Sequence, residues 1–315
     1  YNERDNVRVL HEAVRVELEG EDWRLLFIDD GSEDGTVEVL EAVAREDARV
    51  GYLSFSRNFG HQNALKAGFD YAVGDCVISM DADMQHPPSM LPRLIRKWRE
   101  GYDAVLTLRR DSLQDHSPKC FFSRLFYRVL SWLSPVPVSQ GAADFRLLDE
   151  KLANICRELK EDAFFWRGLI PWMGFSQCCI EYTPAERVRG TSKYTWRKMF
   201  RLALDGVTSF SILPLRFAGI LGVCTIVACL VYLGCILWTY FFDRTAWGWS
   251  SLMCCILLLG GVQLLCLGVI GEYIGKIHMA SKQRPSYIIH RKRLPSDGGS
   301  AAADIRENGR SACGG

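Results

Sequence analysis

The stretch CVISMDADMQHPP, residues 76–88, decides how the rest of the chain is read. Cys76-Val77-Ile78-Ser79-Met80 is a short apolar run of the kind that forms a buried strand. It stops at Asp81-Ala82-Asp83, with Gln85, His86 and two prolines behind it. In extended backbone, residues two apart point the same way. Asp81, Asp83 and Gln85 are therefore expected to present oxygens to one point just past the strand's C-terminal end. Open α/β sheets bind ligands at that edge. Two carboxylates and an amide oxygen suit a hard divalent cation, Mg2+ or Mn2+, that also keeps waters and phosphate oxygens. The bland alternative is an acidic surface loop, which a lone D-x-D does not exclude.

The flanking sequence shifts the balance. Residues 23–28, 50–55 and 104–108 read as further strands, ending in Asp29-Asp30, Ser56-Arg57 and Arg109-Arg110. Helical stripes alternate with them at 36–44, 61–73 and 89–100. This alternation predicts an α/β fold with a mainly parallel sheet covered on both faces. Every polar strand end then lies on one edge. Residues 143–147 form a short strand carrying Asp144 and Arg146, and 178–182 form another. Val7, Leu10, Val14 and Leu18 mark an opening helix, with Asp5 or Asn6 as its cap and no strand before it.

The remainder points to a membrane. FFSRLFYRVLSWL, residues 121–133, and residues 196–210 read as amphipathic interfacial helices with interleaved arginines. Residues 217–242 and 246–271 carry no charge and are each long enough to cross a bilayer, joined by Asp243-Arg244-Thr245. Trp238, Tyr240, Trp247 and Trp249 gather at that turn as an interfacial belt would. Lysine and arginine crowd outside the pair, so both outer ends are expected on the cytoplasmic side. The formal net charge of +1 gives no overall signal for nucleic acid. Twelve cysteines form no C-x-x-C pair and read as reduced. From Pro295 the tail is rich in Gly, Ala and Ser, a composition that predicts disorder.

An acidic, metal-competent site held against a membrane by basic loops suits an anionic soluble donor and an anionic lipid acceptor. At this point the residues match a family. YNE, FIDDGSEDGT, SRNFGHQNALKAGFDYAVGD, DADMQHPP, GAADFRLLDE and the R-x-x-G-x-S-K-Y of Arg187–Tyr194 resemble glycosyltransferase family 2. The likeness is to its polyprenyl-phosphate hexose synthases, bactoprenol glucosyltransferase and dolichol-phosphate mannose synthase among them. It runs from Tyr1 to about Lys282 with the motifs in order.

The resemblance implies a GT-A nucleotide-sugar-binding fold, Mg2+ or Mn2+ and anomeric inversion. It implies transfer of one hexose from a nucleotide-sugar, UDP-glucose by the pattern, to a polyprenyl (undecaprenyl) phosphate, in an integral inner- or plasma-membrane protein. It is compatible with a homo-oligomer. It gives 1–194 as a cytoplasmic catalytic domain, 195–213 as an interfacial helix, 214–275 as a transmembrane hairpin and 276–315 as a basic, then disordered, tail.

Residue by residue, Tyr1, Glu3, Asp29 and Asp30 match the positions that hold base and ribose. Asp81, Asp83 and Gln85 match the metal and diphosphate site, and Asp144 the catalytic base. Arg109 (or Arg110), Arg124, Arg187, Ser192 and Lys193 match phosphate-holding positions. Lys66 is either a donor contact or a solvated lysine. A phosphate monoester is mostly ionised near neutrality, so Asp144 is expected to orient the acceptor or an arginine, Arg146 for example, more than to abstract a proton. GDP-mannose and aminoarabinose donors remain open. A processive polysaccharide synthase would carry Q-x-x-R-W, which is absent from the sequence. A membrane anchor that only binds nucleotide-sugar would not need Asp81, Asp83 and Asp144 together.

Overall fold

The computed structural model describes residues 1–109, 142–161, 164–183, 213–242 and 248–296. These fall into two compact units, one of 1–109, 142–161, 164–183 and 285–296, the other of 213–242 and 248–284. The expected interfacial helices at 121–133 and 196–210 lie outside the described residues.

In the first unit, α1 (Arg4–Glu17) buries Val7, Leu10 and Val14, the stripe its 3–4 spacing predicts. Its N-cap position is Glu3 rather than Asp5 or Asn6, and no side chain caps it. After β1 (Leu25–Asp29), Gly35 takes φ +85° and starts α2 (Thr36–Glu46). Then come β2 (Val50–Phe55), α3 (His61–Tyr71), β3 (Cys76–Ser79), α4 (Leu91–Arg99) and β4 (Ala104–Arg109). β5 (Ala142–Asp149), α5 (Glu150–Glu158), α6 (Trp166–Trp172), β6 (Gln177–Tyr182) and β7 (Ile289–Arg293) complete it. β2 is buried along its whole length, and Phe145, Leu147 and Leu148 of β5 are wholly enclosed.

The strands form two sheets, ordered β1-β2-β7 and β3-β5-β4-β6. β1 with β2 and β4 with β6 are parallel. β2 with β7, β3 with β5 and β4 with β5 are antiparallel. The expectation of a mainly parallel sheet is therefore corrected to mixed sheets. An apolar run reports that a strand is buried but carries no sign of its direction. β5 enters between β3 and β4 and runs against both. β7 was read from sequence only as basic tail, yet it pairs with β2, and Gly51 makes room for it. A Cβ on Gly51 would lie 2.6 Å from the Arg293 carbonyl oxygen.

The second unit is a pair of long helices, α7 (Leu213–Phe242) and α8 (Trp249–Ser281), of 30 and 33 residues. They pack on one another, with Cys266 Sγ 3.5 Å from the Ala218 carbonyl oxygen. Phe217, Val223 and Leu264 are among the large apolar side chains left exposed. Among the described residues one stretch, Leu258–Ser281, is long and apolar enough to cross a membrane, with mean hydropathy 1.6. Phe217–Tyr232 is a shorter apolar stretch on the other helix.

Candidate active site

Asp81 and Asp83 lie just past β3, where the backbone leaves the extended state. Met84 takes φ +61°, a left-handed conformation uncommon for a residue with a side chain. The loop is turned at this point rather than extended. Asp83 Oδ1 accepts from the Gln85 amide at 3.1 Å. Gln85 is buried, and its Oε1 accepts from Arg109 Nη1 at 3.3 Å. The amide oxygen expected to face a metal thus faces the Arg109 guanidinium here.

His86 fixes the other side of the loop. Its Nδ1 accepts from the Asp81 backbone N–H at 2.9 Å, and its Nε2 lies 3.6 Å from Asp81 Oδ2. A ring that accepts at Nδ1 is neutral and carries its proton on Nε2. Burial against Phe145, on which it stacks at 5.0 Å, pushes its pKa down against the pull of Asp81 and Asp83.

Asp81 and Asp83 are hard oxygen donors. Among the described residues no cluster of three acidic, His or Cys side chains could hold a metal alone. That donor set fits Mg2+ or Mn2+ of the kind held by one or two carboxylates together with substrate phosphates.

Asp144 brings the second half of the site. It is buried on β5 and surrounded by cations. Arg146 Nη2 donates to its Oδ1, Arg167 Nη2 to its Oδ2 at 2.8 Å, and His61 Nε2 lies 3.2 Å from Oδ2. The same His61 nitrogen is 3.8 Å from Asp81 Oδ1. Burial opposes ionisation of Asp144, but the His61 hydrogen bond and the charges of Arg167 and Arg146 outweigh it. They hold its carboxyl far below the usual range. A carboxylate that acidic is a weak base. For His61, burial pulls downward, yet the hydrogen bond to Asp144 and the charges of Asp81 and Asp144 leave its pKa raised. Arg167 and His61 were missed in the sequence as site residues. Arg167 lies in the run FFWRG, where neighbouring Trp166 is a fully buried packing residue.

A cleft of about 480 Å3 opens beside the ends of β1 and β2, lined by Tyr1, Ser32, Ser54, Arg57, Asn58, His290 and Arg291 among others. Asp29 and Asp30 support it from below. Asp29 accepts from Ser54 Oγ at 2.9 Å and from the Ser32 amide. Asp30 accepts from the amides of Phe59 and Gly60. Both aspartates are buried and tie the β1 and β2 loops together. Gly31, at φ +72°, lets these loops touch, since a Cβ there would lie 2.8 Å from Arg57 O and Asn58 N. Tyr1 is half exposed at the cleft, while the Glu3 carboxylate accepts from Asn6.

Lys66 is placed elsewhere. It is buried, with Nζ 2.6 Å from Asp70 Oδ1 and 3.1 and 2.7 Å from the carbonyls of Cys156 and Arg157. Its ammonium holds the C-terminal end of α5 instead of a donor. Arg124, Arg187, Ser192 and Lys193 lie outside the described residues.

Residues 1–134 match the model of glycosyl transferase family 2, and 213–277 match the GtrB C-terminal hairpin. The chain is 40% identical over 298 residues to a bactoprenol glucosyl transferase of Shigella phage SfV, covering 93% of this chain and 96% of the relative. It belongs to glycosyl transferase family 2. An uncharacterized glycosyltransferase of Bacillus subtilis (strain 168), YkcC, is 40% identical over 289 residues, 90% of each chain. The prophage bactoprenol glucosyl transferase homolog of Escherichia coli (strain K12) is 37% identical over 294 residues, 92% of this chain and 96% of the relative. Among solved structures, a mannosyltransferase from Pyrobaculum calidifontis in complex with GDP-Man and Mn2+ superposes with TM-score 0.42 at 15% identity, covering 85% of this chain and 84% of that one. A superposition that loose transfers neither site nor metal. As a family 2 glycosyltransferase, the chain has a GT-A-like fold, here with mixed sheets.

Proposed function

We propose that this glycosyltransferase moves a single glucosyl group from UDP-glucose to a polyprenyl phosphate, undecaprenyl phosphate in the bacterial case, with inversion at the anomeric carbon. One observation carries the reading. A single imidazole nitrogen, His61 Nε2, reaches both Asp144 on β5 and Asp81 after β3. The D-x-D loop and the buried aspartate, far apart in sequence, thus belong to one site in a chain so similar to bactoprenol glucosyl transferases.

The acceptor phosphate is its own nucleophile, because it is mostly ionised near neutrality. The work left to the protein is placement. Asp144 anchors the guanidiniums of Arg146 and Arg167, and Arg167 remains about one-third exposed (35%) while so anchored. Arg167 and Arg109 would hold phosphate oxygens in line with the sugar. Asp81 and Asp83 would hold a divalent cation, which supplies neutralisation of the departing diphosphate. His86, bonded to the Asp81 backbone amide and 3.6 Å from its carboxylate, would hold Asp81 in place. The cleft beside β1 and β2 takes the nucleoside.

The exposed apolar faces of α7 and α8 and the basic residues flanking them support a membrane hairpin with both ends on the cytoplasmic side. The test is a donor screen. Detergent-solubilised full chain is given undecaprenyl phosphate, Mn2+ or Mg2+, and radiolabelled UDP-glucose, GDP-mannose or a UDP-aminoarabinose. Label entering the organic phase from UDP-glucose, and not with Asp83→Ala, is the expected result. Label from GDP-mannose instead would replace the sugar. Label from none would remove the transfer reading.

A further inference from the structure

β7 follows the hairpin in sequence and falls outside both matched stretches, yet it is built into the sheet that supports the donor cleft. Its pairing with β2 is irregular. Ser54 is opposite Arg291 and Phe55 opposite Ile289, which leaves His290 as an extra residue on β7. In a regular strand, consecutive side chains face opposite ways. A bulge breaks that rule by adding one residue and re-aiming it. Here the result is that two consecutive residues, His290 and Arg291, line the same cleft as Tyr1, Ser32, Arg57 and Asn58.

The strand is held firmly in that position. Tyr287 stacks on Phe55 at 5.1 Å and donates to Asp70 at 2.7 Å, and the Ser56 amide donates to the Ile288 carbonyl. Arg291 is half exposed and pairs with Glu41 through Nη1 at 3.3 Å. A guanidinium carries five N–H donors, so it can keep that partner and still donate to a ligand in the cleft.

We propose that β7 forms one wall of the nucleoside-diphosphate cleft, with His290 and Arg291 contacting the bound nucleotide. This rests on the donor reading above. The cleft is lined by two arginines, an imidazole, a half-exposed tyrosine and several hydroxyls, with the carboxylates of Glu33 and Glu38 beside them; the cations suit an anionic group, the tyrosine an aromatic ring, and the carboxylates can accept from ribose hydroxyls. The post-hairpin strand is thereby a determinant of donor affinity, although neither the D-x-D loop nor Asp144 is part of it.

The experiment is calorimetric titration of UDP, and separately GDP, into the full chain in detergent with Mn2+ present. Arg291→Ala should raise the Kd for UDP about tenfold, the loss of one charge-assisted contact. His290→Ala should raise it less. Lys292→Ala, on the same strand but not lining the cleft, should leave it unchanged. Photolabelling of the wild-type chain with 5-azido-UDP should place the label on the peptide that contains His290, a readout that needs no variant to fold. Wild-type affinity in the His290→Ala/Arg291→Ala double variant, or label confined to other peptides, would overturn the role of β7 and leave the transfer reading intact. A wild-type chain that binds neither nucleotide would overturn both.

Discussion

Replacing Asp144 with asparagine removes one negative charge from a place where three cationic or ionisable groups converge on it. The decisive partner is Arg146, whose side chain is 2% exposed and whose Nε has no hydrogen-bond partner among the described residues. With the carboxylate gone, a buried guanidinium keeps its charge and loses its counter-ion. Breaking a buried pair in this way costs about 3–5 kcal/mol. In a domain of this size each kcal/mol moves the melting temperature by about 2–4 °C, so Asp144→Asn should melt roughly 6–20 °C below wild type.

The asymmetry gives the control. Arg146→Met alone leaves Asp144 buried beside Arg167 and His61, so it should cost less. Asp144→Asn/Arg146→Met together should recover at least half of the deficit, because neither half of the pair is then stranded. Glucosyl transfer should stay lost in both Asp144 variants. The pH dependence has a definite sign. Asp144 has a folded pKa below its ordinary 3.8, so its contribution is fully present above that value and is lost as pH falls toward the depressed one. The gap between wild type and Asp144→Asn should therefore close in acid. Differential scanning fluorimetry in detergent reads all of this. An Asp144→Asn variant that melts with wild type at neutral pH, or a double variant no more stable than the single, would refute the account of Asp144 as an anchor for cations.

Gly31→Ala should destabilise by about 1–3 kcal/mol and weaken UDP binding together, because the added Cβ meets the Arg57–Asn58 backbone at a positive φ; thermal melts and calorimetry check it. His61 has a raised pKa, so its favourable contacts with Asp144 and Asp81 are complete below about 6.5 and fade as pH rises through the folded value. His61→Gln should accordingly lower the melting temperature more at about pH 6 than at about pH 9. Cys156 is fully enclosed and its thiol is pushed up to about 12, burial being the main cause. N-ethylmaleimide should label exposed Cys179 in the native chain and leave Cys156 untouched until the chain is denatured, as read by peptide mass spectrometry.

Strand existence was legible because buried runs such as 50–55 are short, apolar and β-branched or aromatic. β2 has the bounds that its residues predict. Strand direction was not legible, since β5 looks the same in sequence whichever way it runs. The D-x-D carboxylates were found from their place at a strand end, but the turn at Met84 that redirects Gln85 toward Arg109 leaves no mark in composition. Lys66 could have been solvated or site-directed by its helical position. Only the approach of α5 decides for a third answer, a buried ammonium on carbonyl oxygens. Arg167 was hidden by its aromatic neighbours, whose packing role is real and says nothing of the arginine beside them. β7 was hidden for the same reason that it works, since a basic strand on a sheet edge reads as tail.

The join between β2 and β7 has a consequence for how the molecule is made. Asp70 and Tyr287, bonded in the finished structure, are separated by 217 residues, and both long helices are synthesised between them. A ribosome that has released everything up to α8 has made a first unit whose β2 still offers one bare edge, the kind of edge that invites wrong partners. The globular half can close only after the hairpin has been translated. Completion of the cleft wall thus reports that the helical pair is already present, and an enzyme truncated before Pro285 should keep both long helices and yet be unable to finish its own sheet.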